Sequence, residues 1–538
     1  MKIFTEITSQ KIIQLLLLTA TVGLLATGCT TYQQQNHAIQ YWQHGDLTNA
    51  VIEATKKADE NENNKDAIIW RLEEGAALRA NGQYEDSNRA FDTAQNKIDQ
   101  YAQEAKVKVG HEAGALLSNQ ANLPYEGRSY DGIMLNTYEA LNYLALNEPD
   151  KARPEIIRAY QRQQEAVDEN KRRIEKIQDE AASSTNSATI KKAQDDPGFQ
   201  AQIQGTNYAN LNNLKPYADY VNPFTVYLDG LFFMANAAGP SDLEHAHKSF
   251  ERVQEFIGDS DYVKQDLAAV DGLMNGRPLT PTTYVIFETG CAPIRDQVRI
   301  DIPIIVSKVS YVGAAFPTLK FQGDYIPSLT VVVANPIAMT NDVVTVVTNL
   351  ITATNDIVTT VTNTIAATND IVTTVTNTVI TTNEFVTSST NTVIIPGNTN
   401  STTELLADMD SVIGLDFKNE MPVIITKTIA STVTKAVAAY GVNQAAGQQS
   451  ELAGLFSQIG TAIYQAAVNI ADERTWTTLP KEFQFCRIPT PPDRKIDLIT
   501  ADGLQKTSVT IADGMVNIVY VKSINTVSPL SVTQMKLK

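Results

Sequence analysis

Between residues 37 and 182, small and aromatic residues recur at helical spacing on a polar background. Gly75, Leu78, Gly82, Tyr84, Phe91 and Ala94 mark one two-helix unit, with Ser87 where Ala is usual. Ala140, Tyr143, Ala152, Ile156 and Ala159 mark another, with Asn147 and Pro149 at its turn. Ala38, Tyr41, Gly45, Leu47 and Ala50 mark a further one near the start. Small residues are needed where two helices cross closely, and an aromatic fills the gap between hairpins. Residues 103–119 are expected to supply an intervening helix. The second helix of the later unit is expected to run from Pro154 to about residue 182, with Tyr160, Val167 and Ile174 on one weak coiled-coil seam. Residues 183–198 read as a polar linker, followed by a helical pair at 226–238 and 242–256.

Beyond residue 280 the pattern changes to β-branched stretches bounded by Pro and Gly. Residues 283–287, 302–312, 329–333, 483–488, 495–499, 508–511 and 516–521 are expected strands. Residues 404–413, 421–440 and 444–470 are expected helices set between them. The fold class expected is α+β: an N-terminal helical repeat array of tetratricopeptide (TPR-like) character, then a mixed β-rich domain with a helical insertion. The organisation follows: 37–182 repeats and long helix, 183–275 linker and helical pair, 280–335 strands, 338–396 insertion, 401–472 helical segment and 473–538 strands. The insertion is a 14-residue tandem repeat whose period is marked by Asn341, Asn355, Asn369 and Asn383. Its Thr and Val favour strands and its Asn pairs favour turns, so hairpins or a ribbon are expected. Such a ribbon is either a tolerated surface insertion or an assembly element, since exposed edge strands pair readily.

The N-terminus changes the picture of where this chain works. Lys2 and Lys11 precede an apolar run over 12–26 that is short and broken by Gln14, Thr19, Thr21 and Gly23, the pattern of a secretory leader. The run ends in Ala26-Thr27-Gly28-Cys29, which is like the lipobox of bacterial lipoproteins, with Ala26 where Leu is usual. Residues 1–28 are therefore expected to be a signal peptide, Cys29 the lipidated residue and 29–36 a tether. Thr30, rather than Asp, after the cysteine points to the outer membrane. The formal charge of −17 repels phosphate backbones, which argues against nucleic acid as a partner. Cys291 and Cys486 would be exported, where two cysteines are either a disulfide or two buried thiols.

No P-loop, GxGxxG, GxSxG or HExxH pattern is present, and no residue is nominated as catalytic, metal-binding or cofactor-binding. His245-Ala246-His247 would point its two rings to different sides of a helix. Asp408-Met409-Asp410 lacks the ligands of a calcium loop and reads as helix surface. The remaining candidate is the turn before the later repeat unit. Tyr125, Glu126, Arg128, Tyr130 and Asp131 combine charge with aromatic rings, as binding loops on rigid scaffolds do; the alternative is a capping and salt-bridge network at a repeat junction.

The phrases PYEGRSYDGIMLNTYEALNYLAL, YADYVNPFTVYLDGLFF, YVIFETGCAPIRDQVRIDIP and DERTWTTLP resemble an uncharacterised family of bacterial tetratricopeptide envelope lipoproteins. Its members are often encoded beside small lipoproteins similar to penicillin-binding-protein activators. The 14-residue repeats depart from that family, and Cys291 stands where an apolar residue is more usual. The resemblance implies a Gram-negative envelope location and brings no activity or binding residues with it. The function expected is a lipid-anchored, non-catalytic scaffold or adaptor that faces the periplasm and binds an envelope protein or peptide through its repeats. The alternative is a structural subunit of a surface or secretion assembly.

Overall fold

The computed structural model of this chain describes residues 32–107, 120–205, 211–306, 309–347, 373–378, 385–447 and 471–538. The chain is α+β, helical in its first half and β-rich in its second. The first helices are α1 (Tyr32–Gln35), α2 (Ala38–Gln43), α3 (Leu47–Glu60), α4 (Ala67–Ala80) and α5 (Tyr84–Val107). They are followed by α6 (Ser129–Ala145), α7 (Pro149–Ser183), α8 (Ser187–Gln194) and α9 (Pro197–Gly205). A second group comprises α10 (Pro223–Ala235), α11 (Pro240–Ile257) and α12 (Asp261–Met274). Consecutive helices pack as hairpins, with α4 on α5, α6 on α7 and α10 on α11.

The small residues act as the pattern implied. A Cβ on Gly75 of α4 would lie 2.4 Å from the Phe91 ring of α5, and one on Gly230 of α10 would lie 2.9 Å from the Phe250 ring of α11. In each hairpin the aromatic ring occupies the space that the glycine leaves. Ser87, where Ala was usual, donates to the Gly75 carbonyl at 2.7 Å.

The second half contains β1 (Thr282–Thr289), β2 (Ile294–Val306), β3 (Val309–Lys320), β4 (Leu329–Val347), β5 (Thr373–Thr378), β6 (Phe385–Thr402) and β7 (Glu404–Asp408). The helix α13 (Met409–Gly447) interrupts the strands, which resume as β8 (Glu482–Pro489), β9 (Lys495–Thr500), β10 (Lys506–Thr510), β11 (Val516–Ser523) and β12 (Ser531–Lys536). One sheet has the order β12-β11-β1-β8-β7, a second β10-β9-β4-β6-β5, and β2-β3 form a hairpin of their own. Within the first sheet β1 runs parallel to β11 and antiparallel to β8.

Strand β1 is buried along its whole length: Tyr284–Phe287 fill its centre, and its three Thr and Glu288 are hydrogen-bonded. Its alternate residues face two different cores. Tyr284 and Ile286 join the helices, while Val285 and Phe287 join the second sheet. The neighbouring strand β11 divides in the same way, with Ile518 and Tyr520 on one side and Val519 and Val521 on the other. The layers are therefore helices, first sheet and second sheet. The core shared by helices and sheet runs from Tyr32 to Leu537, so the two halves bury their apolar faces against each other.

Several elements differ from expectation. Residues 404–408 are a strand, because Glu404 and Asp408 take ladder positions opposite Phe485 and Glu482 of β8. Asp408 is not helix surface: it ends β7 and accepts from the Asp410 amide and the Ser411 hydroxyl at the start of α13. The expected strand 302–312 is the closed end of the β2–β3 hairpin, where Ile302 pairs with Val312. The expected linker 183–198 contains α8 and the start of α9, which pack against β2. On α7 the buried stripe is Ala152, Ile156, Ala159, Gln163 and Ala166, whereas Val167 of the expected seam is 47% exposed. The described residues of the insertion form strands of a ribbon: β4 and β6 pair from Thr330↔Thr402 to Val347↔Phe385, with β5 on the far side of β6. The expected helices at 103–119 and 444–470 both fall partly outside the described residues, which include 103–107 in α5 and 444–447 in α13.

Gly75→Ala is expected to lower stability by about 1–3 kcal/mol through overpacking, measured as a lower urea midpoint. Adding Phe91→Leu should return part of the loss; a Gly75→Ala midpoint equal to that of the parent would contradict this account of the hairpin.

Candidate functional site

The four phrases singled out in the sequence meet at one place, where the chain segment before β8 passes between the helices and the first sheet. Trp476 of this segment is fully buried, with its ring 5.8 Å from that of Phe91 and 5.9 Å from that of Tyr138. Thr477 donates its amide to Glu73 Oε1 at 2.7 Å, and Thr478 Oγ1 donates to Glu73 Oε2 at 2.7 Å. Tyr32 donates to the same carboxylate at 2.8 Å. Burial pushes the Glu73 pKa up, and these donors oppose the shift. Arg474 reaches the other way, to Asp66 at 3.0 Å, to the Leu123 carbonyl at 2.8 Å and to Asp472 at 2.7 Å.

Next to Arg474 lies a buried ion cluster. Glu420, on α13, pairs with Arg128 at 2.7 Å and with Arg295, on β2, at 2.6 Å; Arg173 of α7 stands 3.7 Å away. Arg295 is 2% exposed. Burial disfavours the Glu420 charge, but Arg128 and Arg295 overcome it and hold the pKa well below the usual carboxylate range. Asp416, one turn earlier on α13, has no hydrogen bond to either oxygen. Burial, with the Glu420 charge beside it, pushes its pKa up to about 7. Glu420 thus carries the charge and Asp416 retains its proton in mildly acidic solution. Asp131, at the start of α6, accepts from the Arg128 amide at 2.9 Å and from the Tyr125 hydroxyl at 2.5 Å, yet burial still raises it to about 6.

The candidate partner-binding residues belong to this interior. Tyr125, Tyr130 and Asp131 are buried, Arg128 is committed to Glu420, and Glu126 alone among the five is exposed. In this structure the five residues form a capping and salt-bridge network at the start of α6, with Glu126 at its outer side. The burial comes from residues far along the chain. Tyr130 stands 3.3 Å from the Thr475 hydroxyl, and the guanidinium of Arg474 lies 5.3 Å from the Tyr125 ring centre.

Cys29 lies outside the described residues. Cys291 and Cys486 are both free thiols, and no disulfide joins them because they face different cores. Cys486 points from β8 into the space between the two sheets, whereas Cys291 packs beside Trp42, Ala50 and Ile524. Burial pushes Cys291 up to about 11 and Cys486 up to about 12, so neither forms a thiolate near neutral pH.

His245 and His247 do point apart. His245 contacts Asp229 at 2.8 Å, and His247 lies 3.3 Å from Asp271. Ser249 shares Asp229, donating to it at 2.6 Å. A serine nucleophile needs its hydroxyl bonded to the histidine; here Asp229 takes both contacts, which makes the trio a fastening of α11 to α10, with Asp229 and Ser249 buried and His245 partly exposed. Two further acids tie helices to the first sheet. Asp266 of α12 accepts from Tyr227 at 2.8 Å and from Tyr284 at 2.6 Å, and Glu288 of β1 accepts from Tyr138 of α6 at 3.1 Å. Among the described residues, no three His, Cys, Asp or Glu side chains are grouped so as to hold a metal ion. No described helix is long and apolar enough to cross a membrane.

On the outside of the ion cluster is a groove of 280 Å³ between α7 and the start of α13, bordered by Val167, Lys171, Ile174, Glu175, Tyr220 and Asn419. Tyr220 has φ 60°, an uncommon conformation for a bulky residue, and its buried hydroxyl has no hydrogen-bond partner. No local pattern in the sequence marks Glu420, Asp416, Arg128 and Arg295, which lie beneath this groove.

Glu420→Gln leaves Arg128 and Arg295 without their shared anion and is expected to cost about 3–5 kcal/mol. Because its folded pKa is depressed, the Glu420 contribution is complete above the unfolded value of 4.5 and is lost as pH falls below it. Urea midpoints measured from pH 7 to pH 3 should fall less steeply in the variant; parallel profiles would contradict the assignment.

No protein-family model matches the chain, and no curated protein or solved structure does.

Proposed function

We propose that this chain is a lipid-anchored scaffold or adaptor of the bacterial cell envelope, held at the outer membrane through Cys29 and facing the periplasm, with an envelope protein or peptide as its partner and no reaction of its own. The observation that carries this reading is the shared core of the helical and β halves. It fixes the outward surfaces of both relative to one another, which is what a positional function requires. The lipobox-like Ala26-Thr27-Gly28-Cys29 and the resemblance to tetratricopeptide envelope lipoproteins supply the location. Trp476, Tyr284 and Phe483 of the chain's own second half pack into the core of the helices, so this reading places the partner on outward surfaces of the helical half. The groove beside Tyr220 is an outward surface open to a partner.

One observation favours a second reading, a structural subunit of a surface or secretion assembly. The last strand of the second sheet, β5, pairs with β6 on one side only among the described residues. Thr-rich edge strands of this kind are competent to pair with another chain.

Crosslinking in intact cells, with affinity capture and mass spectrometry, separates the two readings. The scaffold reading expects one discrete partner, lost in Cys29→Ser and retained when residues 340–395 are deleted. Ladders of self-crosslinked chain that vanish with the same deletion would overturn it in favour of the assembly subunit.

A further inference from the structure

A charge imbalance lies at the seam between α4, α6 and the first sheet. Arg79, in the last turn of α4, is 7% exposed, and its guanidinium sits between two rings, 4.9 Å from the centre of Tyr138 and 4.8 Å from that of Tyr520. Its Nη2 is buried and has no hydrogen-bond partner. No salt bridge to Arg79 forms among the described residues; the Glu288 charge acts on it through space, while the Glu288 oxygens are bonded to other groups. Glu288 accepts from Tyr138, from Tyr520 and from the Lys522 ammonium, which also stands over the Trp42 ring. Two cations therefore share one carboxylate in a buried site, and one positive charge is left over.

An arginine cannot relieve this by losing its proton, unlike a buried carboxyl or lysine. Two ring faces and a share of the Glu288 charge offset only part of the cost of burying this cation. A cavity opens at this same point. Its interior, about 20 Å³ in free volume, is lined by Arg79, Tyr138, Glu288, Tyr520 and Lys522, and Ser531 and Thr533 of β12 stand at its rim. Ser531 is exposed and Thr533 half-buried, so access is from the open edge of the first sheet. That interior is larger than one water molecule needs but too small for a bulky group.

We infer that this cavity is a binding site for a single carboxylate group, received by Arg79 with Lys522 beside it. A planar carboxylate matches the guanidinium fork, and the size of the interior places the remainder of the ligand outside, across Ser531 and Thr533. The ligand class is an acid whose carboxylate ends a slender chain, supplied either by a free small acid or by the C-terminus of a peptide. This site is separate from the groove beside Tyr220 and does not depend on the scaffold reading.

The test uses the purified full chain, with thermal melts and calorimetric titration in sodium acetate against sodium chloride at equal ionic strength. Acetate should bind at one site and raise the melting temperature by several degrees over chloride. Arg79→Met should lose that response and, freed of its unpaired charge, melt in chloride no lower than the parent. Ser531→Trp, an exposed change that covers the rim, should keep the parent's melting temperature in chloride and lose the acetate response. Acetyl-Gly-Ala binding at least tenfold more tightly than acetate, with its C-terminal amide inert, would support the site and identify a peptide terminus as its source. Acetate binding as tightly as the peptide would support the site and identify a free acid. Equal responses to acetate and chloride, or an acetate response that survives in Arg79→Met, would overturn the assignment.

Discussion

The pairing of one carboxylate, Glu420, with Arg128 and Arg295 is the constraint on which the rest of the structure depends. These residues come from the turn before α6, from strand β2 and from helix α13, separated by up to 292 positions in sequence. Removing such charges from water is costly, and each must find its partner in good geometry before the fold gains anything. The same cluster extends through Asp472 and Arg474 to Asp66 at the start of α4. Five distant stretches of chain are thus brought to one point, and the segment carrying Trp476 is fixed between helices and sheet as a result.

This arrangement changes what the helical half can do. Hairpins built on glycine–aromatic crossings, such as Gly75 with Phe91, offer an inward face that in many repeat proteins receives a partner. Here the chain supplies its own occupant. Phe224 of α10 stacks on Phe483 of β8 at 4.0 Å, Tyr227 lies 4.8 Å from Phe485, and the carboxylates of Glu73, Asp266 and Glu288 take hydroxyl donors from across the interface. The surfaces left for other molecules are the groove beside Tyr220, the rim of the Arg79 cavity and the β4–β6–β5 ribbon.

Much of the local architecture was legible in the sequence, because helix crossings leave a periodic signature of Gly, Ala and aromatic residues. Strand β1 could be recognised from the β-branched and aromatic run at its centre, whereas its buried Glu288 could not be anticipated without helix α6, whose Tyr138 donates to it. The candidate site was not legible in the same way. Tyr125, Arg128 and Asp131 have the composition of a surface turn, and only Thr475, Glu420 and Arg474, hundreds of residues later, bury them. Strand β7 was misread as helix because its short sequence has no strand period of its own and its ladder partner, β8, begins more than seventy residues on. The two cysteines fail to pair for a reason of the same kind: strand register sends Cys486 to the far face of the sheet, a fact that spacing does not encode.

The central claim is that the ion cluster makes the helical and β halves a single cooperative body. Its most direct test is unfolding at neutral pH and low salt in urea, an uncharged denaturant that leaves charge pairs unscreened, followed by tryptophan fluorescence and far-ultraviolet circular dichroism. Trp42, Trp70 and Trp476 are all buried, the first against the end of the β half, the second among the helices and the third at the junction between them. One transition, coincident by both probes and moved to lower urea as a whole by Arg128→Met, is the result expected. Two separate transitions, with Arg128→Met shifting only one of them, would contradict the account.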